Sequence, residues 1–206
     1  MDVQKVAEDN TLNINFKNFL KIELKNKDIL KISGENGIGK TTLIRKIATL
    51  KSFTQNEIFW NGKDIFKDKS ELSGYRKKIS YLGHSIAIKK NLSVIENITL
   101  HNTNACNSHI NETLKVLELE DYVNYYSSQL SQGLKQRVAL ARVFLSNAKL
   151  YLLDEPFTAL DKKIIQKVED HIFDHLASNS IVIFISHANS SEKHRKRIKY
   201  LNLKYD

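Results

Sequence analysis

Leu12, Ile14 and Phe16, and again Leu20, Ile22 and Leu24, alternate with polar neighbours. A period of two puts one set of side chains on one face of an extended chain, so the spacing predicts two strands of a half-exposed sheet. Residues 28–33 read as a short buried strand that runs straight into a glycine loop. Leu43, Ile44, Ile47 and Leu50 recur at helical spacing and predict a helix over residues 40–50. Residues 57–60, followed by Asn61-Gly62, predict a further strand and a tight turn.

Residues 79–82 and 150–153 each read as a buried strand. Between them, over about residues 92–145, the pattern is helical and carries no strand signal, which predicts a helical insertion between two core strands. A helix over residues 162–177, a strand over 181–185 and a last strand near 198–203 complete the pattern. Alternation of this kind implies an α/β fold with a mainly parallel sheet. The chain holds one Pro, no repeat and no low-complexity tract, so no linker divides it. A single domain over residues 1–206 is expected, with a helical subdomain at approximately 90–145.

Composition narrows the picture only a little. Hydrophobic content of 41% and charged content of 27% are ordinary for a globular protein. The start, Met1-Asp2-Val3-Gln4-Lys5, is polar and does not read as a signal peptide. No apolar run approaches the roughly 20 residues that span a bilayer, so any membrane role would need other subunits. A lone Cys106 excludes an intrachain disulfide. The net charge of +9 includes a basic cluster at His194, Arg195, Lys196, Arg197 and Lys199. No aromatic-plus-basic recognition motif accompanies it, so a solvated basic face is expected rather than a nucleic-acid surface.

The chemistry begins at Gly34-Glu35-Asn36-Gly37-Ile38-Gly39-Lys40-Thr41-Thr42. Glycines at this spacing let backbone N–H groups close around phosphate oxygens, and the following helix points its positive end at the anion. Lys40 would add charge for the β- and γ-phosphates of ATP, and the Thr41 hydroxyl would ligate Mg²⁺. Leu150-Tyr151-Leu152-Leu153-Asp154-Glu155 is a buried strand ending in two carboxylates. Asp154 would hold Mg²⁺ opposite Thr41, and Glu155 would polarise the attacking water. Leu130-Ser131-Gln132-Gly133-Leu134-Lys135-Gln136-Arg137 precedes an apolar helix, with Ser131 placed as its N-cap.

These segments together resemble the ABC ATPases, a family of P-loop NTPases. Ser131 and Gly133 match that family's L-S-G-G-Q signature, whereas Gln132 and Leu134 depart from it. Asp161 in Ala159-Leu160-Asp161 corresponds to the D-loop, and His187, just after the 181–185 strand, to the switch histidine. His84 stands where the family's Q-loop has glutamine. The base-stacking aromatic expected before the glycine loop would fall at residues 9–12, where none occurs; Phe16 is the nearest, and the base contact is left unassigned. The resemblance implies a P-loop NTPase (ABC ATPase) core with a mainly parallel sheet, a small antiparallel β subdomain and the helical insertion. It also implies a head-to-tail homodimer in which Ser131, Gln132 and Gly133 contact ATP held by the neighbouring subunit.

Tyr81-Leu82-Gly83-His84, and the short stretch after the His187 strand, resemble the heme exporter ATPases of cytochrome c maturation. Ser85 stands where those often have glutamine. That likeness implies a subunit on the cytoplasmic face of the membrane, bound to integral membrane transporter subunits, with Ile86 and Ile88 as an apolar docking patch. Heme would be handled by the complex rather than by this chain. His101, Cys106 and His109, and the i, i+4 pair His171 and His175, are expected to be solvated rather than heme or metal ligands. Export of another small solute, or a soluble ABC protein acting on ribosomes or DNA, would use the same motifs. The last usually brings a second ATPase domain or a long coiled coil, and neither is read here.

Overall fold

The computed structural model describes residues 10–16, 20–52, 54–100, 102, 105–187 and 190–204. The alternating N-terminal segments form β1 (Thr11–Phe16) and β2 (Leu20–Lys25), paired antiparallel with Ile14 opposite Ile22. With β4 (Ile58–Trp60) and β5 (Lys63–Asp64) they make a four-stranded sheet of order β2-β1-β4-β5. Asn61 and Gly62 supply the positive φ that the β4–β5 turn needs.

The second sheet has order β6-β7-β8-β3-β9, and each of its pairings is parallel. Its strands are β3 (Ile29–Gly34), β6 (Ile79–Leu82), β7 (Leu150–Asp154), β8 (Ile181–Ile185) and β9 (Ile198–Leu203). The apolar runs of β7 and β8 are continuous because both sheet faces are covered. Leu150, Leu152, Ile181, Ile183 and Ile185 face one core, shared with the antiparallel sheet and helix α1 (Lys40–Ile47). Tyr151, Leu153, Val182 and Phe184 face the other core, shared with α5 (Gln132–Phe144) and α6 (Lys162–Asp174). Each fully buried Leu or Ile there contributes roughly 1.5–3 kcal/mol.

Between β6 and β7 the chain forms α3 (Val94–Thr99), α4 (Asn107–Val116), two 3₁₀ turns and α5. The one β contact among the described residues of this stretch is an isolated bridge, Ser93 to Tyr126. Ser93 and Glu96 form a reciprocal capping box at the start of α3. Asn97, 1% exposed, accepts from Lys89 N–H at 2.9 Å, while its amide nitrogen reaches Ser127 Oγ at 2.9 Å. Outside the insertion lie α2 (Lys69–Arg76), capped by Asp68, and the short α7 (Glu192–Arg195), neither of which the hydrophobic period predicts.

Several expectations change. The helix over residues 40–50 stops at Ile47; Ala48 caps it, Thr49 takes φ 59° and Leu50 is 60% exposed. The helix over 162–177 gives way after Asp174 to a 3₁₀ turn, Leu176–Ser178. His171 is buried rather than solvated, stacked on Phe144 at 4.0 Å between ring centroids, and burial pushes its pKa down to about 4. Of the basic cluster, Arg195, Lys196, Arg197 and Lys199 are exposed as expected, and one member departs. His194 is buried against Asp170, Arg197 pairs with Asp174 and Lys199 with Asp28. Ile86 and Ile88 pack, half-buried, against the helical core instead of standing out as an apolar patch.

Candidate nucleotide site

The glycine loop joins the end of β3 to the start of α1, at the carboxyl end of the parallel sheet. Gly39 sits at the N-cap of α1 with φ 104°, a left-handed conformation that glycine adopts without steric cost. No side chain caps α1 and no acidic residue stands in its first turn. Its first N–H groups therefore face outward with the positive end of the helix dipole, an arrangement suited to an anion. Lys40, 8% exposed, donates from Nζ to the carbonyls of Gly34 and Glu35, both at 2.8 Å. Glu35, Asn36 and Gly37 are exposed on the rim, and Ile38, Thr41 and Thr42 are half-buried.

β7 delivers the two carboxylates to the same place. Thr41 Oγ1 donates to Asp154 Oδ1 at 3.3 Å. Asp154 is 2% exposed, and its second oxygen, Oδ2, is buried with no hydrogen-bond partner. A buried carboxylate oxygen is costly unless a proton or cation meets it. A hydroxyl and a carboxylate, one oxygen of which is unpaired, fit a hard divalent cation such as Mg²⁺.

Glu155 follows with φ +54°, and its backbone N–H donates to Ile185 O at 3.1 Å. That bond ties the Glu155 turn to β8, the strand that ends just before His187. His187 Nε2 lies 3.5 Å from Glu155 Oε1. Partial burial raises the Glu155 carboxyl above the usual carboxylate range, and His187 opposes that shift. A base on a half-dry turn next to an imidazole can accept a proton or orient a water.

His84 and Gln132 share a cavity of about 240 Å³ with Asp154 and Glu155. The structure thus brings His84 to the carboxylates from the loop after β6. Ser131 caps α5, its Oγ accepting from Leu134 N–H at 3.3 Å, and Ser131 and Gln132 are exposed. Asp161 caps α6 by accepting from Ile164 N–H at 3.0 Å and pairs with Arg137 at 3.0 Å. Backbone donation from Ile164 holds its carboxyl below the usual range.

Two residues quoted in the sequence pattern but given no role there meet this site. Gln136 is 6% exposed and donates to the Pro156 carbonyl, and Arg137 reaches Asp161. The signal for both was a polar pair at i+3 and i+4 from Gly133, on one face of a helix that is otherwise apolar there.

The histidines set apart above lie elsewhere. A larger cavity, about 680 Å³, opens near Lys149 and Ser180, at the opposite end of β7 and β8 from Glu155, and is lined by Cys106, His109, His171 and His175. His101 lies outside the described residues, as does Asp9 of the stretch searched for a base-stacking aromatic. Phe16 instead has Lys46 Nζ 5.0 Å from its ring centroid. Among the described residues, one group brings three metal-ligand atoms together: Asp170, Asp174 and His194. Lys193 and Arg197 already neutralise those carboxylates.

A sequence-family profile described as ABC transporter matches residues 18–158. The chain is 36% identical over 185 residues to the cytochrome c biogenesis ATP-binding export protein CcmA of Pasteurella multocida, across 86% of this chain and 84% of that protein. The protein of the same name from Pseudomonas fluorescens is 36% identical over 186 residues, across 88% and 86%. Among solved structures, a putative ABC transporter ATP-binding protein of Pyrococcus furiosus superposes with a TM-score of 0.78 at 28% identity, across 94% and 97% of the two chains. Loop, carboxylate pair, signature helix and relatives agree: the chain belongs to the ABC transporter family, as an ATP-binding, ATP-hydrolysing subunit.

Proposed function

We propose that this chain is the ATPase subunit of a membrane complex that powers heme export, or release of a heme chaperone, in c-type cytochrome biogenesis. The observation that supports an ATP site most directly is the meeting of Thr41, Asp154 and Glu155 beside an uncapped helix start. In this reading residues 34–42 cradle the phosphates, and Lys40 exchanges its loop carbonyls for phosphate oxygens. Thr41 and Asp154 hold Mg²⁺, which when bound neutralises charge on the phosphates. Glu155 takes up the proton of the attacking water, with His187 orienting the carboxylate and His84 facing the same cavity.

Ser131, Gln132 and Gly133 stand on an exposed helix start and are read as the contact to ATP held by a second copy of the chain. Asp161 sits at that junction. Residues 1–206 are treated as one ABC ATPase domain, with the helical subdomain at approximately 90–145. Among the described residues no helix is long and apolar enough to cross a membrane. Integral membrane subunits would therefore carry the substrate path, and this chain would sit at the cytoplasmic face. The printed names of the relatives support the cytochrome c setting. Nucleic acid has no place in this reading: no aromatic-plus-basic motif accompanies the basic cluster, and Arg197 and Lys199 of it pair with Asp174 and Asp28.

Affinity purification of the tagged chain from detergent-solubilised membranes tests the assignment. The expected result is co-purification of small membrane subunits with two copies of this chain, and a heme absorption band in the complex. Membrane partners of a solute transporter without heme would replace the heme reading; recovery of ribosomes or DNA would overturn the transporter reading.

A further inference from the structure

Three contacts tie the start of α5 to the turn that carries Glu155, and they fall on one helix face. Gly133, Gln136 and Arg137 are spaced three and four residues apart. A Cβ added at Gly133 would stand 2.7 Å from the Ala159 carbonyl oxygen, so the loop backbone lies directly against the helix there. Gln136 Nε2 donates to Pro156 O at 3.0 Å in a buried setting. Arg137 Nη2 donates to Asp161 Oδ2 at 3.0 Å, and its Nη1 lies 3.8 Å from Glu118.

The turn is one that needs outside support. Glu155 and Ala159 take φ +54° and +61°, in the left-handed region that side chains with a β-carbon rarely adopt. Glu155 also precedes Pro156, whose ring restricts the backbone before it. Strained residues of this kind persist only when their surroundings over-determine them. Inside the turn the bonds are long: Thr158 N–H to Glu155 O and Leu160 N–H to Phe157 O are both 3.3 Å. Gln136 thus supplies a shorter, buried bond to the residue next to Glu155.

We propose that Gln136, supported by Arg137, is a positioning residue that holds the Glu155 carboxylate in its place beside Asp154. This rests on the reading of Glu155 as the group that polarises water.

Gln136→Leu keeps much of the side-chain volume and removes the donor, leaving Pro156 O unpaired. Steady-state hydrolysis should then show kcat lower by about tenfold with KM for ATP within about twofold of the parent. A purely structural residue would lower thermal stability and leave kcat per folded enzyme unchanged. Arg137→Gln, on the more exposed side of the contact, should give a fall in kcat of about threefold with KM for ATP again within about twofold. Turnover per folded enzyme within about twofold of the parent in both variants overturns the proposal. If Gln136→Leu does not fold, Arg137→Gln decides by the same split of kcat against KM. Glu155→Gln measured alongside separates the two readings. Parental turnover in that variant removes the role of Glu155, whereas its inactivity beside a normal Gln136→Leu removes only the positioning role.

Discussion

At the scale of single residues, the site depends on which polar atoms are left without partners. Asp154 Oδ2 is buried and unpaired while Oδ1 meets Thr41, so the fold carries a desolvated carboxylate that only a cation or proton can relieve. Lys40 is the opposite case, a buried ammonium satisfied by two loop carbonyls. Lys40→Ala should weaken ATP binding by at least about a hundredfold, as loss of a charge-assisted phosphate contact implies, with the far-ultraviolet circular dichroism unchanged. A fluorescent-nucleotide titration checks it. These residues were legible in the sequence because the glycine loop and the acidic strand end are each contiguous. His171 and His194 were not. Their burial is set by Phe144 and Asp170 on other segments, and no local pattern announces that.

At the scale of elements, periodicity located the strands well and the helix ends poorly. β7 and β8 were readable as continuous apolar runs, since a parallel sheet covered on both faces has no polar side. Helix α1 was read through Leu50, but the chain turns at Thr49 and leaves that leucine exposed. α2 carries a single buried residue, Tyr75, too little for a hydrophobic period to register. The helical insertion was legible as a helical stretch through apolar residues such as Val94, Ile98, Leu114 and Leu140, but the buried polar side chain that ties its loops together was not. Asn97 bonds the Lys89 segment to Ser127 from a fully buried position. Asn97→Ala should cost about 3 kcal/mol, the upper range for stranding buried partners, and lower the urea midpoint accordingly. Nucleotide affinity should stay near that of the parent, because Asn97 lies away from the glycine loop.

At the scale of the whole molecule, the order of the motifs along the chain becomes an arrangement in space. The glycine loop, the β7 carboxylates and His187 converge at one end of the parallel sheet, and the start of α5 leans against the Glu155 turn. Spacing alone could place these segments in sequence; the sheet order β6-β7-β8-β3-β9 is what brings β3 and β7, separated by over a hundred residues, to flank β8. The contact of α5 with the turn was the part the sequence pattern did not disclose, since it depends on a carbonyl approaching a residue without a side chain. The proposed hydrolysis needs Glu155 as the proton acceptor, a role that requires the ionised carboxylate. Because burial raises its pKa, parental turnover should fall as pH drops, beginning above the range of an ordinary exposed carboxylate. Phosphate release by the purified membrane complex, parent against Glu155→Gln, tests this most directly. The expected result is ATP binding unchanged and turnover lower by at least about a hundredfold, the loss typical for a removed general base. Turnover within about threefold of the parent would contradict it.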